Sequence, residues 1–166
     1  MRVEIYTDGA CSDNGKVGAI GGWACVLRAL RKKNSNQREC VTEKILTGSK
    51  NGTTNNEMEL QAILEALKAL KVDSAPNHTY HIYTDSKYVI NCMDNWIHNW
   101  MKNGWRTADK KPVKNRELIQ ELYKYIQLYK PTFHWVKGHA NHPINNRVDE
   151  LAVQAKDELR IKMGVL

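Results

Sequence analysis

No stretch of this chain holds 18 or more consecutive apolar residues, so no segment reads as a membrane-spanning helix. The first residues, Met1-Arg2-Val3-Glu4-Ile5-Tyr6, alternate in polarity and carry Glu4 where an export signal would need an apolar core. A cytoplasmic address is the resulting expectation. Cys-x-x-Cys pairs are missing as well. Cys11, Cys25, Cys40 and Cys92 stand far apart, which argues against a zinc site and a disulfide framework, so all four are expected to be reduced thiols. Internal repeats, low-complexity tracts and linker-like segments are also lacking. A single domain over residues 1–166 is expected, and 42% hydrophobic residues suffice for its core.

What the chain does carry is positive charge. There are 25 Lys and Arg against 18 Asp and Glu, a net +7 that favours a polyanionic partner through steering and counterion release. The excess is uneven. Between residues 102 and 116 stand Lys102, Arg106, Lys110, Lys111, Lys114 and Arg116 against Asp109 alone, a net +5. Trp96, Trp100 and Trp105 are interleaved with or precede these cations.

Period-two alternation predicts strands over Met1–Thr7, Gly21–Leu30, Arg38–Leu46 and Thr79–Thr84, and a fifth through Phe133, Trp135 and Lys137. Arg31 to Asn36 reads as a polar hairpin tip, so the first three strands form an antiparallel meander. Thr54-Asn55-Asn56-Glu57 fits a capping box, with Glu57 reaching back to the cap. Leu60, Ile63, Leu64, Leu67 and Lys71 then follow helical spacing. Asp85-Ser86 reads as the cap of a second helix running to about Asp94. Further helices are expected over Asn115–Leu128 and from about Asn146 to Met163. The order of elements predicts an α/β fold, one mixed sheet flanked by helices.

Four acids fall near element ends. Asp8 and Asp85 end strands, Glu59 lies early in the first long helix, and Asp149 falls in the first turn of the last one. Strand ends in such sheets form crevices where sites gather. Converging carboxylates need cations, and hard oxygen ligands select Mg²⁺, with Mn²⁺ as a substitute. Two ions together would clamp a phosphodiester. The alternative for each acid alone is a helix cap or a solvated charge, and spacing does not distinguish the two.

Five blocks sharpen the choice. Thr7-Asp8-Gly9-Ala10-Cys11, Thr54-Asn55-Asn56-Glu57-Met58-Glu59-Leu60, Thr84-Asp85-Ser86-Lys87-Tyr88-Val89, Trp135-Val136-Lys137-Gly138-His139-Ala140 and Asn145-Asn146-Arg147-Val148-Asp149-Glu150-Leu151-Ala152 occur in this order. Together they resemble the bacterial type 1 ribonucleases H over nearly the whole chain. The resemblance implies a five-stranded mixed sheet of order 3-2-1-4-5. It implies endonucleolytic cleavage of the RNA strand of an RNA–DNA hybrid, leaving 5′-phosphate and 3′-hydroxyl ends, and a task in removing RNA primers and R-loops. Asp8, Glu59, Asp85 and Asp149 fall on the family's metal-binding acids. His139 falls on its loop histidine, which assists proton transfer or product release. Its pKa range suits proton exchange near neutrality.

The same resemblance sets Gly9, Cys11, Asn14, Asn55, Asn56 and Gln61 in or beside the minor groove of the hybrid, where the 2′-hydroxyl marks RNA. Amides suit that task because each donates and accepts. For Asn55 and Asn56 the alternative is capping alone. Residues 95–116 resemble the family's basic protrusion, with Trp96, Trp100, Lys102, Trp105, Lys110 and Lys111 as substrate contacts and Trp105 as the expected aromatic neighbour of the nucleic acid. One departure stands out: many relatives carry consecutive basic residues after the second tryptophan, and here Met101-Lys102-Asn103 holds a single charge. No separate hybrid-binding domain, no membrane contact, no obligate protein partner and a monomer are expected. Two other classes fit parts of the pattern. A transposase- or resolvase-like nuclease would share the acids without the His139 loop, and a non-enzymatic hybrid binder would not need all four acids.

Overall fold

A computed structural model describes residues 1–70, 78–137 and 142–164. Its sheet has five strands, β1 (Arg2–Ser12), β2 (Ile20–Asn34), β3 (Gln37–Asn51), β4 (Thr79–Thr84) and β5 (Thr132–Trp135), in the order β3-β2-β1-β4-β5. β1 to β3 are antiparallel neighbours, while β4 runs parallel to β1 and β5 parallel to β4. The expected sheet is therefore present. The helices are α1 (Asn55–Ala69), α2 (Lys87–Asn91), α3 (Ile97–Asn103), α4 (Arg116–Tyr129) and α5 (Pro143–Lys162). Among the described residues no helix is long and apolar enough to cross a membrane.

Alternation along β1 sorts its side chains to two faces. Val3 and Ile5 join Leu60, Ile63, Leu64 and Leu67 of α1, Ile82 of β4 and Ile119 and Leu122 of α4 in the main core. Complete burial of one such leucine or isoleucine contributes roughly 1.5–3 kcal/mol. Tyr6 points the other way and packs with Ala24, Val26, Val148 and Ala152 under α5. α5 lies unusually close to β2. A Cβ on Gly22 would run into the backbone of Ala152 and Lys156, so only glycine allows this approach.

Several expected boundaries move. The first three strands are longer than their alternation implied, because the strand pairing continues past the buried stretch: β3 is mostly exposed along its length. The hairpin tip shrinks to the turn after Asn34, with Arg31 and Lys32 inside β2. Thr54 accepts from the Glu57 N–H at 3.1 Å, but the Glu57 carboxylate pairs with Lys50 at 2.6 Å rather than reaching back. Asp85 is not the cap of α2; Ser86 is, accepting from Val89 N–H at 3.2 Å. α2 does not end near Asp94 but runs through a π-helical turn (Cys92–Trp96) into α3. α5 starts at Pro143 rather than Asn146, with the His142 imidazole accepting from Asn145 N–H. Lys71, expected on the α1 stripe, lies outside the described residues.

The four thiols are unpaired. Burial pushes Cys25 up to about 12 and Cys92 to about 11, so both behave as small apolar side chains.

A ladder of rings crosses the face beside α5. Tyr6 stacks on Tyr83 at 4.6 Å, and Tyr83 on His134 at 4.6 Å. His81 Nδ1 and His134 Nε2 are 2.9 Å apart, and Arg2 Nη1 is 3.1 Å from His81 Nε2. A guanidinium only donates, so His81 Nε2 must accept, His81 Nδ1 must carry the proton, and His134 Nε2 must accept from it. His81 is then neutral, and a proton added at its Nε2, which faces the guanidinium, breaks that hydrogen bond. Burial, and then the Arg2 charge and His134, hold His81 below its ordinary value; Glu4 opposes and Arg38 adds to the effect. A depressed base stabilises fully above its unfolded value near 6.5 and loses that contribution as pH falls through the lower folded value. His81→Gln, which does not titrate, should therefore lose roughly 2 °C less than the parent between pH 7.5 and 5.5 in a thermal melt. Identical slopes for the two proteins would refute the pairing.

Candidate active site

Asp8 is not at the end of its strand, as alternation had implied. It sits inside β1, paired with Ala24 of β2. On the other side the ladder with β4 stops at Tyr6 and Tyr83, two residues earlier. Asp8 therefore stands where β1 continues beyond β4, at the mouth of the crevice. Asp85 follows directly on the last residue of β4, and Glu59 enters from the second turn of α1.

A close approach brings the helix to the strand. A Cβ on Gly9 would lie 2.7 Å from Glu59 N and 2.8 Å from the Met58 carbonyl carbon. No side chain fits there, so Gly9 lets β1 touch the first turns of α1. Met58 and Leu60, both buried on either side of Glu59, seat α1 in the core and turn the Glu59 backbone toward β1. The result is one cluster. Ligand oxygens of Asp8, Glu59 and Asp85 all lie within 4.8 Å of one another. Asp8 and Glu59 are each only 4% exposed, and Asp85 is half-buried.

Asp149 approaches the cluster from α5, near enough to act on the Asp8 carboxyl. It belongs to the second turn of α5 rather than the first, because the helix starts earlier than its sequence implied. Its contribution is therefore not that of a cap. His139 lies outside the described residues.

Such crowding is costly without cations. Burial pushes the Asp8 carboxyl up to about 8, helped by Asp149 and by the charge of Asp85. Burial, then the charges of Asp8 and Asp85, hold Glu59 well above the usual carboxylate range. Glu59 Oε2 is buried and has no hydrogen-bond partner among the described residues. A buried carboxylate oxygen without a hydrogen-bond donor is expensive, and a hard cation that accepts its lone pair would relieve that cost. The residues thus fit a divalent metal ion.

Beside this cluster a groove of about 540 Å³ runs between Asn14, Thr54, Asn56, Glu57, Tyr88, Lys114 and Asn115. Asn14 Oδ1 accepts from Asn55 N–H at 2.7 Å, tying the turn after β1 to the start of α1. The Cys11 thiol lies 3.6 Å from the Thr53 carbonyl on the same seam. Asn55 and Asn56 are exposed at the helix start. Gln61, half-buried in the second turn of α1, donates to Glu65 at 2.9 Å. Tyr88, Lys114 and Asn115 also line the groove, though Lys114 was expected only among the protrusion's cations and Tyr88 only within a motif block. Asn115 was legible only as a helix start, and nothing in its spacing ties it to Asn14.

The protrusion is a built structure. Trp105 N–H bonds Trp100 O, and Val113 N–H bonds Trp105 O, while Thr107 and Lys111 close a turn between them. Trp100 and Trp105 pack against the main core, and Arg116 lies over the Trp105 ring at 5.9 Å. Trp96 is the exposed ring, at 39%. Trp105, expected as the aromatic neighbour of the nucleic acid, is half-buried, and its area anchors the loop, as large rings do. Lys102, Lys110 and Lys111 are exposed, and a groove of about 740 Å³ passes Trp96, Trp100, Lys102 and Arg106.

The carboxylate cluster also makes a claim on stability. An acid with a raised folded value destabilises once the unfolded chain ionises, from about 4 upward, and the cost is complete above about 8. Asp8→Asn should therefore raise the melting temperature of the metal-free protein at pH 8.5, by about 3–6 °C. A melt in EDTA in which Asp8→Asn is less stable than the parent would contradict the crowding.

The RNase H family pattern matches residues 1–157. Similar proteins include a "Ribonuclease H" of Bradyrhizobium diazoefficiens, 47% identical over 98% of this chain and 95% of the relative. Another "Ribonuclease H", from Mesorhizobium japonicum, is 50% identical over 91% of this chain and 76% of the relative. Among solved structures, LC9-RNase H1, a type 1 RNase H with the type 2 active-site motif, matches with a TM-score of 0.79 at 28% identity, covering 95% of this chain and 72% of that one. LC11-RNase H1, solved in complex with RNA/DNA hybrid, shares the fold at a TM-score of 0.61 and 21% identity, over 95% of this chain and 98% of that one. With the acids of β1, α1 and β4 gathered as described and the match spanning nearly its whole length, this chain belongs to the RNase H family.

Proposed function

We propose that the protein is an endoribonuclease that hydrolyses the RNA strand of RNA–DNA hybrids. The observation that carries the reading is the buried Glu59 oxygen without a partner, held within reach of Asp8 and Asp85 in a member of this family. Asp8, Glu59, Asp85 and Asp149 are the proposed ligands of two divalent cations, Mg²⁺ with Mn²⁺ as a substitute. Ions bound there supply the Lewis acidity that activates water and stabilises the leaving oxygen, giving 5′-phosphate and 3′-hydroxyl ends.

The side chains have separable tasks in this reading. Asp8, set at the mouth of the crevice by the longer β1, and Asp85 hold the reacting phosphate's neighbourhood at fixed geometry. Glu59 reaches it from α1, the helix whose first residues Asn55 and Asn56 would meet the minor groove with Gly9, Cys11, Asn14 and Gln61. Those groups would read the 2′-hydroxyl, which separates RNA from DNA. His139 would move a proton or speed product release from its loop. Trp96, Trp100, Trp105, Lys102, Lys110 and Lys111 would carry the DNA strand on the protrusion, by charge and by ring area. The protein acts as a monomer in this account, and removal of RNA primers and R-loops is its proposed task.

A cleavage assay on matched hybrid, RNA duplex and DNA duplex tests the reading. Hybrid alone should be cut, and EDTA should stop the cutting; cleavage of duplex DNA, or cutting that survives EDTA, defeats it. Asp85→Asn should keep hybrid binding and lower kcat on the order of a thousand-fold, equivalent to about 4 kcal/mol of transition-state stabilisation. For the protrusion, Lys102→Ala and Lys110→Ala should each flatten the salt dependence of hybrid affinity by about one unit of slope. If neither slope changes, the protrusion has no part in binding.

A further inference from the structure

Asp85 lies just past the end of the sheet. The β1–β4 ladder stops at Tyr83, and the β4–β5 ladder at Thr84. Among the described residues neither ladder extends to Asp85, whose carboxylate lies beside two others that repel it. Two bonds from the end of β5 reach across instead. Val136 N–H donates to the Thr84 carbonyl at 2.9 Å. The indole N–H of Trp135 donates to the Asp85 carbonyl at 3.1 Å. On the chain's other side, Ser86 N–H donates to Thr84 Oγ1 at 3.1 Å.

Trp135 is 48% exposed on an edge strand of four residues. Core packing therefore does not account for so large a ring there. An indole N–H can only donate, and its acceptor here is the main chain of a cluster carboxylate. The ring itself is held: the Lys87 ammonium lies 4.9 Å from its centroid, a cation–π distance. Lys87 is the first residue of α2, two positions after Asp85, so the indole is clasped from the segment it supports.

We propose that Trp135 is a positioning residue for Asp85. Its N–H holds the carbonyl edge of the Asp85–Ser86 peptide while Ser86 N–H holds the other edge on Thr84 Oγ1, and the two together keep the Asp85 main chain in place beside Asp8 and Glu59. Without the indole bond the carbonyl edge of that peptide is released, and Asp85 is held less firmly against the repulsion of Asp8 and Glu59. Cation affinity then falls, because the third ligand must be drawn back before an ion is held. The inference rests on the reading of Asp8, Glu59 and Asp85 as metal ligands.

Calorimetric titration of Mn²⁺ into the full chain without substrate tests it, on the parent, Trp135→Phe and Asp85→Asn. Trp135→Phe removes the N–H and keeps an aromatic ring at an exposed position. It should bind Mn²⁺ roughly five-fold more weakly, the worth of about one hydrogen bond. Its melting temperature in EDTA and its hybrid affinity in EDTA should match the parent. Cleavage should recover when Mn²⁺ is raised by the same factor. A Trp135→Phe titration that superimposes on the parent overturns the proposal. So does a weakened titration accompanied by an equal loss of stability and of hybrid affinity in EDTA, since the ring would then be a general prop. If the parent binds no Mn²⁺, or Asp85→Asn binds as the parent does, the metal-ligand reading itself fails and takes this inference with it.

Discussion

Repulsion among Asp8, Glu59 and Asp85 is the force against which the rest of this structure is arranged. Their ligand oxygens lie within 4.8 Å of one another, and two of the three side chains are buried. Burial and proximity both favour the protonated forms, and both are relieved by a divalent ion. The core must therefore hold in place a group of side chains that would separate if free. It does so through the elements that carry them. Ile5, Leu60, Ile63 and Ile82 are fully buried, and they lock β1, α1 and β4 together within a few residues of the acids.

Two glycines allow that locking. Gly9 admits the start of α1 against β1, which brings Glu59 to Asp8. Gly22 admits α5 against β2, which brings Asp149 to the same end of the sheet. In each case the backbone of one element occupies the volume a side chain would need. The unequal ladders on the two sides of β1 do the rest. β1 pairs with β2 to Ser12 but with β4 only to Tyr6, which opens a crevice at Asp8.

Charge is divided between two regions of opposite sign. The acids sit in the crevice, while the cations of residues 102–116 stand on a loop tied to the core through Trp100 and Trp105. A polyanion can be held by the loop without cancelling the acids, provided cations occupy the crevice. The tryptophans divide along the same line: two anchor, and Trp96 stays exposed. Helical spacing of Trp96 and Trp100 could be read from the sequence. Which ring faces solvent could not, because that depends on how the π-helical turn at Cys92–Trp96 rotates the segment that follows.

Element type was legible almost throughout, since alternation in β1 and β4 and the leucine stripe of α1 each express one buried face. Boundaries were less so. β3 runs exposed to Asn51 because backbone pairing with β2, not burial, sustains it, and an exposed strand leaves no hydrophobic pattern. The start of α5 was missed because His142, an uncommon cap, replaces Ser, Thr, Asp or Asn. For the site, the motif blocks identified the four acids, but each taken alone read as a cap or a surface charge. By itself the sequence determined which residues are apolar, how they alternate, and hence which elements form and in what fold class. Only the tertiary structure decided that Asp8, Glu59 and Asp85 share one crevice and that Trp135 reaches the Asp85 carbonyl. The reason is physical: those contacts join residues far apart along the chain, and their distances are set by how closely helices approach strands, which no local pattern encodes.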